Sequence, residues 1–320
     1  MRESEINELA QAVARELGIT PAGSADAKVH EPLDSAWRMP VVSDRGVVVG
    51  SSVGVSGADV ESTNRVSVRV GVGGDARVAD FVDHTLLKAE ATRGQIETLC
   101  REAIEYQFAA VCVNGSWVRL CSEMLSGSKV KIAAVAGFPL GATTTGSKVS
   151  EARELVQHGA DEIDMVAAIG RIIDNDWDFV EDDIAAVVEA AQGRTVKVIL
   201  ETAALEPLQI VKAAALSKEA GAHFVKTSTG FHPAGGATPE AVALLRLAVG
   251  DSLGVKAAGG VRDCVTALRV IAAGANRIGT SNGVSFVECL GPGPRSLSEL
   301  LADPERHESS CRTGECPATY

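Results

Sequence analysis

Aromatic residues are scarce in this chain of 320 residues, which has seven Phe, three Trp and two Tyr. Proteins that bind single-stranded nucleic acid stack the bases on aromatic rings, so the scarcity argues against that class. Basic residues are also in the minority, with 30 Lys and Arg against 42 Asp and Glu, and the net charge is −12. Because nucleic-acid phosphates are bound through clustered Lys and Arg, we expect no nucleic-acid partner.

The sequence also lacks targeting signals. No apolar run reaches the roughly 18 residues that suggest a membrane helix, and the first residues do not show the basic-then-apolar order of a secretory signal. The seven cysteines are an odd number, and Cys100, Cys112, Cys121 and Cys264 lie in apolar contexts. These features predict a cytoplasmic protein with buried thiols rather than a disulfide framework, and without membrane contact.

Metal-ligand spacing is absent as well. No two of the histidines have the sequence spacing of metal ligands; they are His84, His158, His223 and His232. Cys311 and Cys316 alone are too few ligands for a structural zinc site. We therefore expect no metal.

The first 74 residues have no clear periodicity beyond one helix, which the apolar spacing predicts over residues 3–17. Residues 20–74 are rich in Gly, Ser, Val and Asp, with short strands conceivable at 47–49 and 66–72. We interpret residues 1–74 as a flexible N-terminal extension. The alternatives are a small folded domain or a module that binds a protein partner.

From about residue 77, short apolar runs alternate with amphipathic helices. The runs are 81–83, 109–114, 131–138, 162–168, 195–201, 223–228, 255–260 and 277–280, and the helices between them are 96–108, 117–125, 148–158, 179–192, 208–220, 239–249 and 264–273. Three helices stop at Gly159, Gly221 and Gly274, as a left-handed glycine cap would produce. Alternation of this kind predicts a parallel sheet with helices on both faces.

Eight such units predict a closed α/β fold, the TIM (β/α)8 barrel, over residues 75–292, with a flexible C-terminal tail over 293–320. The alternative is an open doubly wound sheet. No Gly-x-Gly-x-x-Gly follows the first run, which weakens a dinucleotide-binding version of that sheet.

Lysines inside apolar strands are the sharpest chemical signal. Lys226 and Lys256 each lie among apolar neighbours, where an ammonium is costly unless it is paired or loses its proton. Burial and mutual repulsion would lower the pKa of both lysines, and a neutral amine is the nucleophile that forms a Schiff base. The alternative is that each lysine forms a structural ion pair with Asp83, Asp164 or Glu201.

Asp164 is a carboxylate within a strand of Ile, Met and Val, so it must face a cation or another polar group. It could orient the lysines, or it could relay protons through a water molecule. Asp83, Lys197 and Glu201 also lie in or at the ends of strands, where barrel enzymes carry their chemistry.

Glycine clusters follow the last two strands. Gly259 and Gly260 precede one helix, and Gly279, Thr280 and Ser281 precede the next. Glycines let backbone N–H groups approach a phosphate, and loops after the seventh and eighth strands often hold one in barrels. Either cluster alone could be an ordinary turn, but together they predict a phosphorylated substrate.

These stretches resemble the deoxyribose-phosphate aldolase family, in order and on all eight strands. They are Asp-His-Thr-Leu-Leu-Lys at 83–88, Val-Cys-Val-Asn at 111–114, Gly-Phe-Pro-Leu-Gly-Ala at 137–142, Glu-Ile-Asp-Met-Val at 162–166, Lys-Val-Ile-Leu-Glu-Thr at 197–202, Phe-Val-Lys-Thr-Ser-Thr-Gly-Phe at 224–231, Val-Lys-Ala-Ala-Gly-Gly-Val-Arg at 255–262 and Arg-Ile-Gly-Thr-Ser at 277–281.

The resemblance implies a class I aldolase on a TIM barrel that needs no metal and no cofactor. Its reaction would interconvert 2-deoxy-D-ribose 5-phosphate with D-glyceraldehyde 3-phosphate and acetaldehyde. Lys226 matches the Schiff-base lysine, Lys256 the lysine that lowers its pKa, and Asp164 the proton-relay carboxylate. The matching phosphate-loop positions are Gly230, Gly259, Gly260, Gly279, Thr280 and Ser281.

The resemblance also gives Tyr320 a candidate role, because some family members have a mobile tail whose terminal Tyr reaches the active site. We further expect a homo-oligomer such as a dimer. Two other functions stay open: another Schiff-base aldolase acting on a different sugar phosphate, and a non-catalytic barrel that only binds a sugar phosphate.

Overall fold

The computed structural model describes residues 77–290 and 297–302, together with three short upstream strands. These strands, β1 (Val41–Ser43), β2 (Gly46–Val48) and β3 (Ser67–Val68), pair antiparallel in that order. Strand β2 overlaps the short run considered at 47–49, and β3 overlaps that at 66–72. The helix expected over 3–17 and the residues Cys311, Cys316 and Tyr320 lie outside the described residues.

Eight parallel strands close into a barrel, which confirms the predicted fold and excludes the open sheet. The strands are β4 (Val82–Leu86), β5 (Ala110–Val113), β6 (Lys131–Ala136), β7 (Glu162–Val166), β8 (Thr195–Ile199), β9 (Phe224–Lys226), β10 (Gly254–Ala258) and β11 (Arg277–Thr280). Each strand pairs with the next in sequence, and β11 closes the barrel by pairing with β4.

Helices alternate with the strands and surround them. They are α1 (Arg93–Tyr106), α2 (Val118–Met124), α3 (Thr145–His158), α4 (Ile169–Ile173), α5 (Trp177–Ala190), α6 (Pro207–Glu219), α7 (Pro239–Val249), α8 (Cys264–Ala272), α9 (Gly283–Leu290) and α10 (Leu297–Ala302). Gly159 and Gly274 have left-handed φ values of 104° and 115° at the ends of α3 and α8, as their sequence context predicts.

The first barrel strand differs from the run predicted at 81–83. It begins at Val82 and continues through His84 and Thr85 to Leu86. Polar residues suggested an earlier end, but His84 is buried and its Nε2 lies 2.7 Å from the Glu102 carboxylate. Because this carboxylate partners the imidazole, the strand can accommodate a buried polar side chain.

The core is built from small aliphatic side chains. All residues of β5 and β7 are buried, and the main core cluster is dominated by Val, Ile, Leu and Ala. Layers of branched aliphatic residues fill a barrel interior well, so the fold needs few aromatic rings. None of the helices in the described segments is long and apolar enough to span a membrane.

The cysteines only partly follow the prediction. Cys100, Cys112 and Cys121 are buried free thiols, as expected. Cys264 instead forms a disulfide with Cys289, so the prediction of a free thiol was wrong for this residue. The packing of α8 against α9 brings the two Cα atoms within 6.6 Å of each other, a proximity that cysteine spacing alone does not reveal.

Candidate active site

Two lysines lie side by side in the barrel interior. Lys226 ends β9 and is directly opposite Lys256 of β10 in the strand register. Both side chains are almost completely buried. Each Nζ atom lies 2.8 Å from the same oxygen of Asp164, Oδ2. The structure therefore brings together the three residues that the sequence singled out most strongly.

Asp83 is the second carboxylate of this cluster. Its Oδ2 atom contacts the Lys256 ammonium and lies 3.0 Å from Lys197 Nζ. Lys197 Nζ is also 3.0 Å from the other oxygen of Asp164, Oδ1. Because they make these contacts, Asp83 and Lys197 belong to the same buried network as the lysine pair.

Two members of the network were missed in the sequence. Glu162 Oε2 lies 2.5 Å from Lys197 Nζ in an ion pair. Arg277 Nη1 lies 2.7 Å from Asp83 Oδ1 and 3.2 Å from Glu162 Oε2. Both residues stand at the first position of a barrel strand. In a sequence, a charged residue at the first position of a strand is typical of a solvent-exposed strand end. Neither residue therefore gave a signal, and their burial is seen only in the structure.

The network is unequal in charge, with four basic side chains and three carboxylates. The basic members are Lys197, Lys226, Lys256 and Arg277, and the acidic members are Asp83, Glu162 and Asp164. A surplus charge is costly in a buried cluster. The cluster is balanced when one amine is neutral. Lys226 has one carboxylate contact, whereas Lys197 and Lys256 each have at least two, so Lys226 loses its proton most easily.

The pKa values of the two lysines shift in opposite directions, in agreement with their numbers of carboxylate contacts. Burial and the neighbouring charge of Lys256 lower the pKa of Lys226, although Asp164 opposes them. Burial also acts to lower the pKa of Lys256, but the carboxylates of Asp164 and Asp83 outweigh it and raise that pKa well above the usual range. The prediction that both pKa values fall was therefore wrong for Lys256, because it has two carboxylate partners.

The carboxylates stay ionised. Burial alone would raise the pKa of Asp164, but Lys197, Lys226 and Lys256 hold it well below its usual range. Burial likewise acts to raise the pKa of Asp83, which Arg277 and the lysines keep low. At neutral pH the site thus holds a cationic Lys256, the ionised carboxylates of Asp83 and Asp164, and an amine at Lys226 whose pKa is lowered.

Glu201 does not join the lysines. Of the three carboxylates considered as ion-pair partners of the lysines, Asp83 and Asp164 do contact them, whereas the chain after β8 turns through a left-handed φ of 58° at Glu201. Its buried carboxylate accepts hydrogen bonds from the Thr229 hydroxyl at 2.5 Å and from the Thr229 backbone N–H at 3.3 Å. Glu201 therefore holds the loop that follows Lys226.

Three of the candidate phosphate glycines have left-handed backbone, with φ of 84° at Gly230, 86° at Gly259 and 80° at Gly260. A Cβ on Gly259 would lie 3.1 Å from Gly230 Cα and 3.3 Å from Gly236 Cα. The loops after β9 and β10 thus approach each other through bare backbone. A Cβ on Gly260 would meet nothing within 4 Å, so its surroundings are open.

The other three candidates lie at the end of β11. A Cβ on Gly279 would be 3.1 Å from Lys256 Cε, so this glycine makes room for the lysine. The Thr280 hydroxyl donates to the Val261 carbonyl at 2.8 Å and links the loops after β10 and β11. The Ser281 hydroxyl lies 3.0 Å from Asn282 Oδ1.

Two buried hydroxyls in the loops after β8 and β9 were also missed. Thr202 Oγ1 and Ser228 Oγ are buried and have no hydrogen-bond partner within the described part of the chain. They follow β8 and β9. Because buried hydroxyls are normally satisfied, they are candidates to meet a substrate oxygen or a water molecule.

Fold and site together define a (β/α)8-barrel enzyme with a buried lysine pair in the barrel interior. Residues 77–286 match the model of the DeoC/LacD family of aldolases. A deoxyribose-phosphate aldolase from a Geobacillus species is 53% identical over 212 residues, which cover 66% of this chain and 95% of the relative. One from an Exiguobacterium species is 55% identical over 211 residues, with coverage of 66% and 95%.

The tetrameric deoxyribose phosphate aldolase from Aeropyrum pernix is a similar solved structure, with a TM-score of 0.63 and 33% identity. The alignment covers 67% of this chain and 91% of that one. The chain belongs to the DeoC/LacD aldolase family.

Proposed function

We propose that the chain is a deoxyribose-phosphate aldolase that cleaves 2-deoxy-D-ribose 5-phosphate reversibly through a Schiff base on Lys226. The observation that carries the proposal is the asymmetry of the lysine pair. Lys226 has a lowered pKa and one carboxylate contact, while Lys256 beside it stays cationic. A neutral buried amine is the nucleophile that attacks an aldehyde, and relatives at 53–55% identity carry this activity in their names.

The first chemical step is imine formation. The Lys226 amine attacks C1 of the open-chain sugar phosphate, and loss of water gives a protonated imine. The imine withdraws electrons from the C2–C3 bond. That bond breaks as the C3 hydroxyl loses its proton, which releases glyceraldehyde 3-phosphate and leaves an enamine on Lys226.

The second step returns the enzyme. Protonation of the enamine carbon regenerates an imine, and its hydrolysis frees acetaldehyde and the Lys226 amine. Asp164 contacts both lysines through one oxygen, so a water molecule held there can carry protons between substrate and Lys256. In this proposal Asp164 also orients the lysines, and one contact geometry serves both roles.

The glycine loops after β9, β10 and β11 supply the phosphate site. In the loops after β9 and β10, the backbone has no side chains at Gly230, Gly259 and Gly260. The end of β11 adds Gly279, Thr280 and Ser281 to the same proposed site. Backbone N–H groups at such turns bind phosphate oxygens. This placement would set the sugar carbonyl at the opposite end of the substrate, toward Lys226.

The test is a coupled assay of 2-deoxyribose 5-phosphate cleavage with wild-type protein and with Lys226→Ala. We expect the variant to lose cleavage almost completely while it keeps its fold by circular dichroism. Undiminished cleavage by Lys226→Ala would overturn the proposed mechanism.

Two alternatives are separable by experiment. Another Schiff-base aldolase would cleave a different sugar phosphate faster in a substrate profile. A non-catalytic binding barrel would bind the sugar phosphate in calorimetry without turnover, but a neutral amine has no purpose in a site that only binds.

The assembly and the chain ends belong to the same proposal. We expect a homo-oligomer such as a dimer, which light scattering measures directly, and a cytoplasmic location. Removing residues 1–74 with no change in assembly would argue against an interaction module there.

If Tyr320 reaches the site, deletion of that residue slows deuterium exchange into acetaldehyde, and an unchanged exchange rate would remove it from the mechanism.

A further inference from the structure

Two phenylalanines meet at the carboxyl end of the barrel. Phe138 follows β6 and Phe231 follows β9, and their rings make an edge-to-face contact with centroids 5.3 Å apart at an angle of 86°. Strands β7 and β8 lie between β6 and β9 in the barrel. The contact therefore joins the loops of two strands that are not neighbours. The two strands between them carry Asp164 and Lys197.

Both rings stand on loops whose backbone is held by partly buried hydrogen bonds. The backbone N–H of Gly137 donates to the Glu151 carboxylate at 2.8 Å, and Gly141 N–H closes the same loop onto the Gly137 carbonyl at 2.8 Å. On the other side, Phe231 N–H donates to the Thr229 hydroxyl at 3.1 Å. Hydrogen bonds therefore hold the backbone of both loops.

The position of these rings is unusual for apolar groups. The Phe231 side chain is 53% exposed and nearby Leu140 is 73% exposed, in a chain with few aromatic residues. Apolar surface of this kind does not bind a phosphate. Phe138 packs against the buried cluster that includes Cys112, and Cys112 Sγ lies 4.0 Å from Asp164 Oδ2. An apolar surface in this place excludes water on the side of the lysine pair.

Exclusion of water matters for one species in the proposed reaction. In the synthetic direction, the enamine carbon on Lys226 can attack the aldehyde carbon of glyceraldehyde 3-phosphate, which forms the C–C bond while the acceptor oxygen takes a proton. Alternatively, the same carbon takes a proton from water, and hydrolysis of the resulting imine returns acetaldehyde. The two fates compete for one electron pair.

We propose that the Phe138–Phe231 pair is an apolar cover that keeps bulk water from the enamine, and so favours attack on the acceptor aldehyde over protonation by bulk water, while the water molecule proposed at Asp164 lies inside the cover. Glu201 acts as a positioning residue for this cover, since it fixes Thr229 and thereby Phe231. The inference rests on the proposed function, because it requires an enamine on Lys226.

The experiment measures partitioning in D2O. Wild-type protein receives acetaldehyde and glyceraldehyde 3-phosphate, and NMR records deuterium entering acetaldehyde relative to formation of 2-deoxyribose 5-phosphate. Phe231→Ala should raise this ratio roughly tenfold, and Phe138→Ala should raise it in the same direction. Phe231→Leu, which keeps an apolar side chain, should restore most of the wild-type ratio.

Ile104→Ala is the matched control, because Ile104 is an exposed apolar residue on the outer helix α1 with 42% exposure. Its ratio should equal that of wild type. A wild-type ratio in both folded alanine variants would overturn the cover while leaving the aldolase intact. If wild type neither exchanges deuterium nor forms product, the proposed function itself fails, and the cover fails with it.

Discussion

Lys226 and Lys256 share a single carboxylate oxygen, Oδ2 of Asp164, which lies 2.8 Å from both Nζ atoms. They are paired in the register of adjacent strands. The protonation state of one lysine therefore influences the pKa of the other. Asp83 completes the asymmetry, because it contacts Lys256 and leaves Lys226 with one partner. These contacts favour a cationic Lys256 over a cationic Lys226, and for this reason we propose Lys226 as the reactive amine.

Removal of the Lys256 charge should raise the pKa of Lys226. In Lys256→Met the remaining basic and acidic groups of the network balance only when Lys226 is protonated. Less neutral amine is then present at pH 7, and each unit of pKa shift costs about tenfold in that fraction. We expect the rate of borohydride trapping at pH 7 to fall at least about tenfold and its pH profile to move toward alkaline pH.

Lys129→Met is the control for that experiment, because Lys129 is exposed in the turn before β6. Its trapping profile should overlay that of wild type. A Lys256→Met profile that also overlays wild type would show that Lys256 does not set the pKa of Lys226.

Asp164→Asn should destabilise the protein in a pH-dependent way. The pKa of Asp164 is held below its usual range in the folded state, so its carboxylate stabilises the fold above the unfolded pKa of about 4. That contribution is lost as the pH falls through the lowered folded pKa. Loss of one partner from a buried charge cluster costs about 3–5 kcal/mol.

Urea unfolding at about pH 7 and at about pH 2, which lies below the unfolded pKa, checks this prediction. The gap in unfolding free energy between wild type and Asp164→Asn should be large at the higher pH and clearly smaller at the lower pH. A gap that does not change between the two pH values would show that the carboxylate charge of Asp164 does not stabilise the fold.

A second buried ion pair, which shares no residue with the lysine network, allows a direct comparison of stability. Lys148 Nζ lies 2.6 Å from Asp183 Oδ2, both side chains are buried, and Thr145 also donates to Asp183 at 2.7 Å. Asp183→Asn should lower the free energy of unfolding by about 3 kcal/mol. The adjacent Asp182 is exposed, so Asp182→Asn should leave it unchanged, and equal losses in the two variants would refute the buried-pair account.

Gly259→Ala should impair use of the phosphorylated substrate. A Cβ there meets backbone of Gly230 and Gly236, and φ is 86°. Gly193→Ala is the matched control, because its φ of 79° is similar but a Cβ meets nothing within 4 Å. Both variants lose about 1 kcal/mol of stability from the left-handed backbone.

Only Gly259→Ala should raise KM for 2-deoxyribose 5-phosphate in steady-state kinetics. Equal KM values in the two variants would argue that the loops after β9 and β10 do not hold the phosphate.

The sequence predicted much of this arrangement, and its failures have physical causes. Periodicity located all eight barrel strands, since buried parallel strands read as continuous apolar runs. Lys226, Lys256 and Asp164 stood out because charges are rare within such runs. The contacts of Glu162 and Arg277 were hidden because each opens a strand.

Other failures depended on the closed three-dimensional fold. Glu201 has a left-handed backbone conformation, which is uncommon for a residue other than glycine and is not predicted by the sequence. The bond between Cys264 and Cys289 depends on how two helices pack. The Phe138–Phe231 contact joins loops that only barrel closure brings together.

The most direct test of the central claim is trapping of the imine. Wild-type protein is incubated with acetaldehyde at pH 7, reduced with borohydride, digested and analysed by mass spectrometry. The account predicts one dominant ethyl adduct, on Lys226, with Lys197 and Lys256 unmodified because their ammonium groups are held by two or more carboxylates. An adduct mainly on Lys256 or Lys197, or no adduct in an active protein, would contradict it.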